Sequence, residues 1–228
     1  MRTFLVGGAV RDRLLSLRSK DNDYAVEASG WEEMRVWVHA NSLQVFLETP
    51  EFLTIRALDK NKQAVDYVLC RKDGAYSDGR RPDNVEMGTI MDDLRRRDFT
   101  MNAMAIDIET GELLDPFGGQ RDLEEKIIRC VGNPVDRFNE DALRIIRALR
   151  FHITKGMELH HSIWLQLLFE NGWSSKLLSV STDRRREELT KCFKHDTFKT
   201  MEMLHKLPIK TQKAMFEGIW LLPTSKEK

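Results

Sequence analysis

Cysteine is scarce in this chain: three among 228 residues, Cys70, Cys130 and Cys192, scattered and not at metal-ligand spacing. That pattern excludes a disulfide scaffold and a cysteine-rich zinc module, and implies a reducing, cytoplasmic setting. Long apolar runs are missing too. No window approaches the roughly 20 apolar residues of a membrane span, and no signal peptide opens the chain, so no membrane partner is expected. Net charge is also missing. The 36 basic and 36 acidic side chains cancel, which argues against a general polycation.

What is present is an ample supply of core residues, 41 % apolar, enough for one large domain or two small ones. The balanced charge is unevenly spread. Residues 1–140 carry 20 basic and 26 acidic side chains, and residues 141–228 carry 16 and 10, so the two parts stand at −6 and +6. An acidic front and a basic rear suit a protein that holds metal ions at one end and a polyanion at the other.

The opening stretch is the most informative. An apolar run, Thr3 to Val6, meets Gly7 and Gly8 and then an amphipathic helix over 10–17 that carries Arg11. Glycines let backbone approach an anion, a helix start offers free N–H groups, and arginine adds a planar fork of donors. The same Gly-Gly serves equally as a plain turn. Asp21 and Asp23 then lead into a second strand, Tyr24 to Val26. Side chains two apart on a strand share a face, with Cα atoms roughly 6.5 Å apart, and two carboxylates so placed can share Mg²⁺ ions. Read plainly, Asp-x-Asp is a solvated strand entry. Together, a phosphate cradle and an acidic pair point to metal-assisted phosphoryl transfer. The stretch resembles the signature of the polymerase-β-type nucleotidyltransferases, specifically the class II tRNA nucleotidyltransferase and poly(A) polymerase family.

A helix is expected over 31–40, then strands over 52–58 and 63–69 joined by a turn at 59–62. Asp66 interrupts the second run, either as an edge aspartate facing water or as a third acidic residue beside Asp21 and Asp23. The resemblance favours the third acidic residue, with Arg71 following as in the family. Residues 72–84 are polar and turn-rich and are expected to form a loop. By resemblance this is the loop that assists the switch to ATP.

Residues 92–104 contain three successive arginines followed by Asp98, Thr100 and Asn102 alternating with apolar residues. Such alternation predicts an extended segment with small polar groups on one face. The run resembles the family's Arg-Arg-Asp-Phe-Thr-x-Asn-Ala motif, which implies that Arg97 contacts nucleotide phosphate and Asp98 helps test for the 2′-OH. A strand over 105–108, a Pro-Gly-Gly junction at 116–119, a short helix over 120–126 and a last strand-like piece over 127–131 complete the front part.

Beyond Pro134 only helical periodicity is visible. Residues 140–151 read as one amphipathic helix with Asp141, Arg144, Arg147 and Arg150 along a polar stripe. In the plain reading these form surface ion pairs. The same spacing sets an acceptor beside a donor, complementary to the edges of cytosine and adenine and opposed to those of uracil and guanine. A good bidentate pair discriminates by about 1–3 kcal/mol. This segment resembles the family's Glu-Asp-x-x-Arg motif, in which side chains replace a template. The resemblance implies that Arg147 and Arg150 contact nucleotide. A helix capped by Ser181 or Thr182 comes next, whose Arg184 and Glu188 brace the base-reading helix from outside; further helices are expected over 200–207 and 210–221.

The resemblance covers residues 3 to about 192, with five motifs in the family's order. It implies an α+β fold: a mixed-sheet nucleotidyltransferase head over 1–132, then an all-α neck and shortened body over 133–228. Asp21, Asp23 and Asp66 are the expected catalytic residues, with Asp21 and Asp23 holding Mg²⁺. Gly8, Arg11, Arg97, Asp98, Asp141, Arg144, Arg147 and Arg150 are expected to bind nucleotide. The implied partners are a tRNA 3′ end with CTP and ATP, the reaction being CCA addition with release of pyrophosphate. Poly(A) synthesis, partial CC or A addition, and a non-catalytic RNA-binding role are the alternatives. Typical members continue further, with a helical body and tail that grip the tRNA acceptor arm, so a chain this short is read as a minimal enzyme or a fragment.

Overall fold

The computed structural model describes residues 1–17, 22–74, 85–169 and 172–219. These divide into two compact units, one ending at Glu125 and the other beginning at Lys126.

The first unit is built on strands β1 (Arg2–Val6), β2 (Asn22–Glu27), β3 (Gln44–Thr49), β4 (Thr54–Leu58) and β5 (Ala64–Leu69). The short strands β6 (Arg71–Asp73), β7 (Val85–Met87), β8 (Ala105–Asp107) and β9 (Leu113–Leu114) complete it. Helices α1 (Gly8–Leu14), α2 (Trp31–Asn41), α3 (Ile90–Arg95) and α4 (Gly119–Glu124) are threaded between them. Seven strands form one sheet in the order β3-β4-β5-β2-β1-β8-β9, with β2 and β5 parallel and the other pairs antiparallel.

Strand alternation gives this sheet two apolar faces. On one, Val26, Ile55, Val65, Tyr67 and Leu69 pack with Met34 and Val38 of α2. On the other, Phe4, Val6, Ala25 and Ala105 pack with Ile90 and Leu94 of α3. Tyr24 and Tyr67, paired across β2 and β5, stack with ring centroids 5.2 Å apart. Strand β3 has no counterpart among the strands expected from the sequence. Its register slips between Val45 and Leu47, and that bulge hides the period of two that marks a strand. Residues 71–73, expected in or beside a loop, instead pair with 85–87 as a hairpin; the expected loop's residues 75–84 lie outside the described residues.

The second unit contains α5 (Pro134–Glu140), α6 (Leu143–Lys155), α7 (His161–Leu168), α8 (Trp173–Ser179), α9 (Thr182–His195), α10 (Thr197–His205) and α11 (Ile209–Phe216). It is not wholly helical: β10 (Ile127–Ile128) pairs in parallel with β11 (Glu158–Leu159). That pairing carries the last strand-like piece of the front part into the rear unit. Arg185 is buried inside this unit and donates to the carbonyls of Val180, Ala214 and Met215, tying α9 to the ends of α8 and α11.

In the first unit, α4 packs against the 3-10 turn Thr100–Asn102 so closely that a Cβ on Gly119 would lie 2.3 Å from the Thr100 carbonyl oxygen. Neither backbone can yield cheaply. Gly119→Ala is therefore expected to lower stability by about 1–3 kcal/mol, as overpacking does. A urea midpoint shift well beyond that of Gly30→Ala, where the backbone is extended and a Cβ would meet only Met87 Sδ at 3.9 Å, is the expected readout.

Candidate nucleotide site

Residues 93–104 are held from both ends by their own chemistry. Thr89 and Asp92 form a reciprocal capping box at the start of α3, the Thr89 hydroxyl accepting from the Asp92 N–H and the Asp92 carboxylate from the Thr89 N–H. Phe99, Met101, Ala103 and Met104 are fully buried and anchor the far end. The segment is not extended, as alternation predicted, but turns as a 3-10 helix at Thr100–Asn102. The polar groups therefore do not share a face. Thr100 donates to Asp122 at 2.6 Å, whereas Asn102 reaches back to Asp98.

Asp93, 1 % exposed, is the anchor of this region. Its carboxylate accepts from Nε and Nη2 of Arg97 at 3.1 and 2.7 Å, and also from Arg96. Burial alone would push its pKa up, but Arg97 and then Arg96 outweigh it and hold the carboxyl below the usual range. Arg97 in turn donates through Nη1 to the Asn102 carbonyl at 3.3 Å. Arg11 on α1 donates to the Asn102 side-chain oxygen at 2.7 Å and to Asp12 at 2.9 Å. Gly7, just before α1, has φ +66°, and a Cβ there would lie 2.9 Å from Nη1 of Arg97. Glycine is required twice over, by conformation and by the guanidinium that crosses it. Gly8 opens α1 beside Arg11.

The acidic residues stand on adjacent strands. Asp23 of β2 is directly opposite Asp66 of β5, which sets their backbones about 4.8 Å apart. Asp23 is exposed, while Asp66 is gripped by Arg56 of β4 through bonds of 2.9 and 3.0 Å. Asp21 lies outside the described residues, and among those described no cluster of three His, Cys, Asp or Glu forms a metal site. The donor chemistry nonetheless fits Mg²⁺: carboxylate oxygens are its preferred ligands, and Asp23 presents one at the surface two residues from Asp21. Arg56 takes one lone pair on each Asp66 oxygen and leaves the other on each available to such a site.

In the second unit the expected single helix over 140–151 is broken. Helix α5 stops at Glu140, Asp141 is extended (φ −149°), and α6 starts at Leu143. Asp141 forces the break by capping. Its Oδ1 accepts from the Leu143 N–H and its carbonyl from the Arg144 N–H, each at 3.0 Å. Its Oδ2 accepts from Arg184 of α9 at 3.0 Å. Arg144, largely buried, points back to α5, donating to Glu140 at 2.6 Å and to the Arg137 carbonyl at 3.1 Å. Asp141 and Arg144 are thus close in sequence but do not form one stripe. Glu188, 5 % exposed, accepts from Arg150 and lies 3.7 Å from Arg147, and both arginines lie over the Phe151 ring.

Sequence reasoning did not single out Asp93 or Arg56. The signal for Asp93 was its spacing, three and four residues before Arg96 and Arg97, on one helix turn. Arg56 gave none until the β4–β5 register was known.

A mixed sheet with facing carboxylates on parallel neighbours and two arginines beside a glycine turn defines a nucleotidyl-transfer head, and residues 3–129 match the Poly A polymerase head domain. The chain belongs to that family, the class II nucleotidyltransferases. A CCA-adding enzyme from Oceanobacillus iheyensis is 36 % identical over 217 residues, 94 % of this chain and 52 % of the relative. Another from Anoxybacillus flavithermus is 41 % identical over 68 % of this chain and 38 % of the relative. Among solved structures, the Bacillus stearothermophilus CCA-adding enzyme in complex with CTP is similar with a TM-score of 0.76 at 32 % identity, over 93 % of this chain and 49 % of that one. The Thermotoga maritima CCA-adding enzyme complexed with tRNA gives 0.75 at 27 % identity, over 97 % and 50 %. The chain spans about half the length of these proteins.

Because the Asp93 carboxyl is depressed on folding, it contributes stability above about pH 4, the ordinary carboxylate value, and loses it as pH falls through the folded value. Asp93→Asn is expected to cost about 3 kcal/mol at pH 7, as loss of one partner from a buried pair does. The variant's stability should also fall less steeply in acid. Urea titrations of both proteins from pH 7 downward check the sign; parallel curves would contradict it.

Proposed function

We propose that this chain is a template-independent RNA nucleotidyltransferase that adds C and A to a tRNA 3′ end from CTP and ATP, in the cytoplasm. The observation that carries this reading is the register of β2 and β5, which sets Asp23 beside Asp66 in a chain of nucleotidyltransferase family. Relatives named CCA-adding enzymes, one of them solved with CTP and another with tRNA, support the choice of substrates.

In this reading the primer 3′-oxygen attacks the α-phosphorus of the incoming nucleotide. A 3′-O–P bond forms, the bond from the α-phosphorus to the bridging oxygen breaks, the hydroxyl proton passes to water and pyrophosphate leaves. Asp21 and Asp23 would hold Mg²⁺, which supplies a lowered pKa at the 3′-hydroxyl and charge neutralisation at the triphosphate. Arg11 and Arg97, braced by Asn102 and Asp93, hold the phosphates, with Gly8 keeping backbone close. Asp98 tests the ribose. Asp141 and Arg144 choose the base, and Arg147 and Arg150 add nucleotide contacts; each of the four is oriented by a carboxylate or arginine partner that a nucleotide would displace or share.

Purified protein with Mg²⁺, labelled tRNA lacking its 3′ end, and CTP and ATP singly and together tests this on a gel. A ladder of three nucleotides ending in CCA is expected. A long A tract from ATP alone would make the chain a poly(A) polymerase, and no extension would refute the catalytic reading. Asp23→Ala should abolish incorporation with the melting temperature nearly unchanged, since the side chain is exposed. Asp141→Ala should admit U and G more than it slows C and A. Continued exclusion of U and G would remove Asp141 from base choice.

A further inference from the structure

Asn102 is bonded to each of the three side chains, Arg11, Arg97 and Asp98, through which the first unit is proposed to hold sugar and phosphate. Its side-chain oxygen accepts from Arg11 at 2.7 Å, its side-chain nitrogen donates to Asp98 at 3.1 Å, and its carbonyl accepts from Arg97 at 3.3 Å. Arg11, Asp98 and Asn102 are each 7–8 % exposed, so water competes poorly for these bonds. The amide has a fixed polarity, an acceptor toward a cation and a donor toward an anion. Aspartate at this position would set a second carboxylate against Asp98, and an aliphatic residue would remove one hydrogen bond from each of Arg11 and Asp98. The Asp98 oxygen that accepts from Asn102 also accepts from the Phe99 N–H at 2.8 Å, which fixes the plane of the carboxylate.

We propose that Asn102 is a positioning residue that couples ribose recognition at Asp98 to phosphate binding at Arg11, so that a 2′-hydroxyl is tested only on a nucleotide whose phosphates are seated. The proposal rests on the assignment of ribose to Asp98 and phosphate to Arg11 under the proposed function. The coupling runs through one polarised amide: drawing Arg11 toward an anion changes the acceptor end of Asn102, and the donor end shifts its hold on Asp98. A plain structural pillar would do neither. The backbone here is pinned independently by the buried Phe99 and Met101 and by the Asn102 N–H to the Phe99 carbonyl, so side-chain variants are expected to keep the turn.

The test is equilibrium binding of CTP and 2′-deoxy-CTP to the full chain and its Asn102→Asp and Asn102→Ser variants, with melting temperature as the fold control. The unaltered chain is expected to favour CTP about tenfold or more, the scale of a hydrogen bond to a charged group. Both variants should bring that ratio within about twofold. Arg11→Lys should also lower the ratio in the unaltered chain and leave it unchanged in Asn102→Ser. Folded variants that weaken both ligands equally and keep the ratio would overturn the coupling while leaving the ribose reading intact. Failure of both variants to fold would make Asn102 a pillar and likewise overturn it. If the unaltered chain binds the two ligands equally, or neither, the reading of Asp98 falls first and the coupling with it.

Discussion

The arginines and the glycine turn around α1 in the first unit depend on one buried carboxylate. Asp93 holds Arg97 by two bonds and Arg96 by two more from inside the fold, an arrangement that would be costly if either sign were removed. With Arg97 fixed, the glycine turn before α1 must have no side chain, and the Asn102 carbonyl gains a donor. Arg11 is then met from the other side of Asn102. The two arginines are held apart by their partners, so the flexibility of these long cationic side chains is lost during folding; under the proposed function that loss need not recur on binding phosphate.

The second unit solves a similar problem with the signs arranged differently. Glu188 is buried and serves Arg147 and Arg150, while Arg184 one turn earlier on α9 serves Asp141. One helix thus carries both the anion for the arginines and the cation for the aspartate. The apolar face of α6, with Leu143, Ile146 and Leu149 buried, sets its rotation, while α9 orients Arg147 and Arg150 and α5 orients Arg144. The two contributions separate cleanly: packing fixes the helix, electrostatics fixes the rotamers.

Much of this was legible from residue patterns because the patterns had one physical cause. The strands 54–58 and 64–69 follow apolar alternation and 2–6 is a short apolar run, while the register of β2 and β5 is what sets Asp66 opposite Asp23. Family resemblance carried the motifs that alternation cannot interpret. What escaped did so for local reasons. In β3 a bulge breaks the period. At Asp141 the helical stripe continues in the sequence straight through a break that a single capping carboxylate imposes. At Asp98–Asn102 alternation of polar and apolar residues mimics a strand, although a 3-10 turn buries the same apolar side chains. Asp93 looks like one more surface charge until its burial is known.

The bulge in β3 has a consequence for how this chain behaves in company. β3 is one of the two edge strands of the seven, with β9 at the opposite edge, and displays Phe46 at 50 % and Leu47 at 44 % exposure. A straight, apolar border of that kind would template sheet-to-sheet aggregation between molecules. Because the slip between Val45 and Leu47 falls in the middle of the strand, an incoming strand meets hydrogen-bonding groups out of step on either side of it. The irregularity that conceals β3 in the sequence also makes it a poor seed for fibrils.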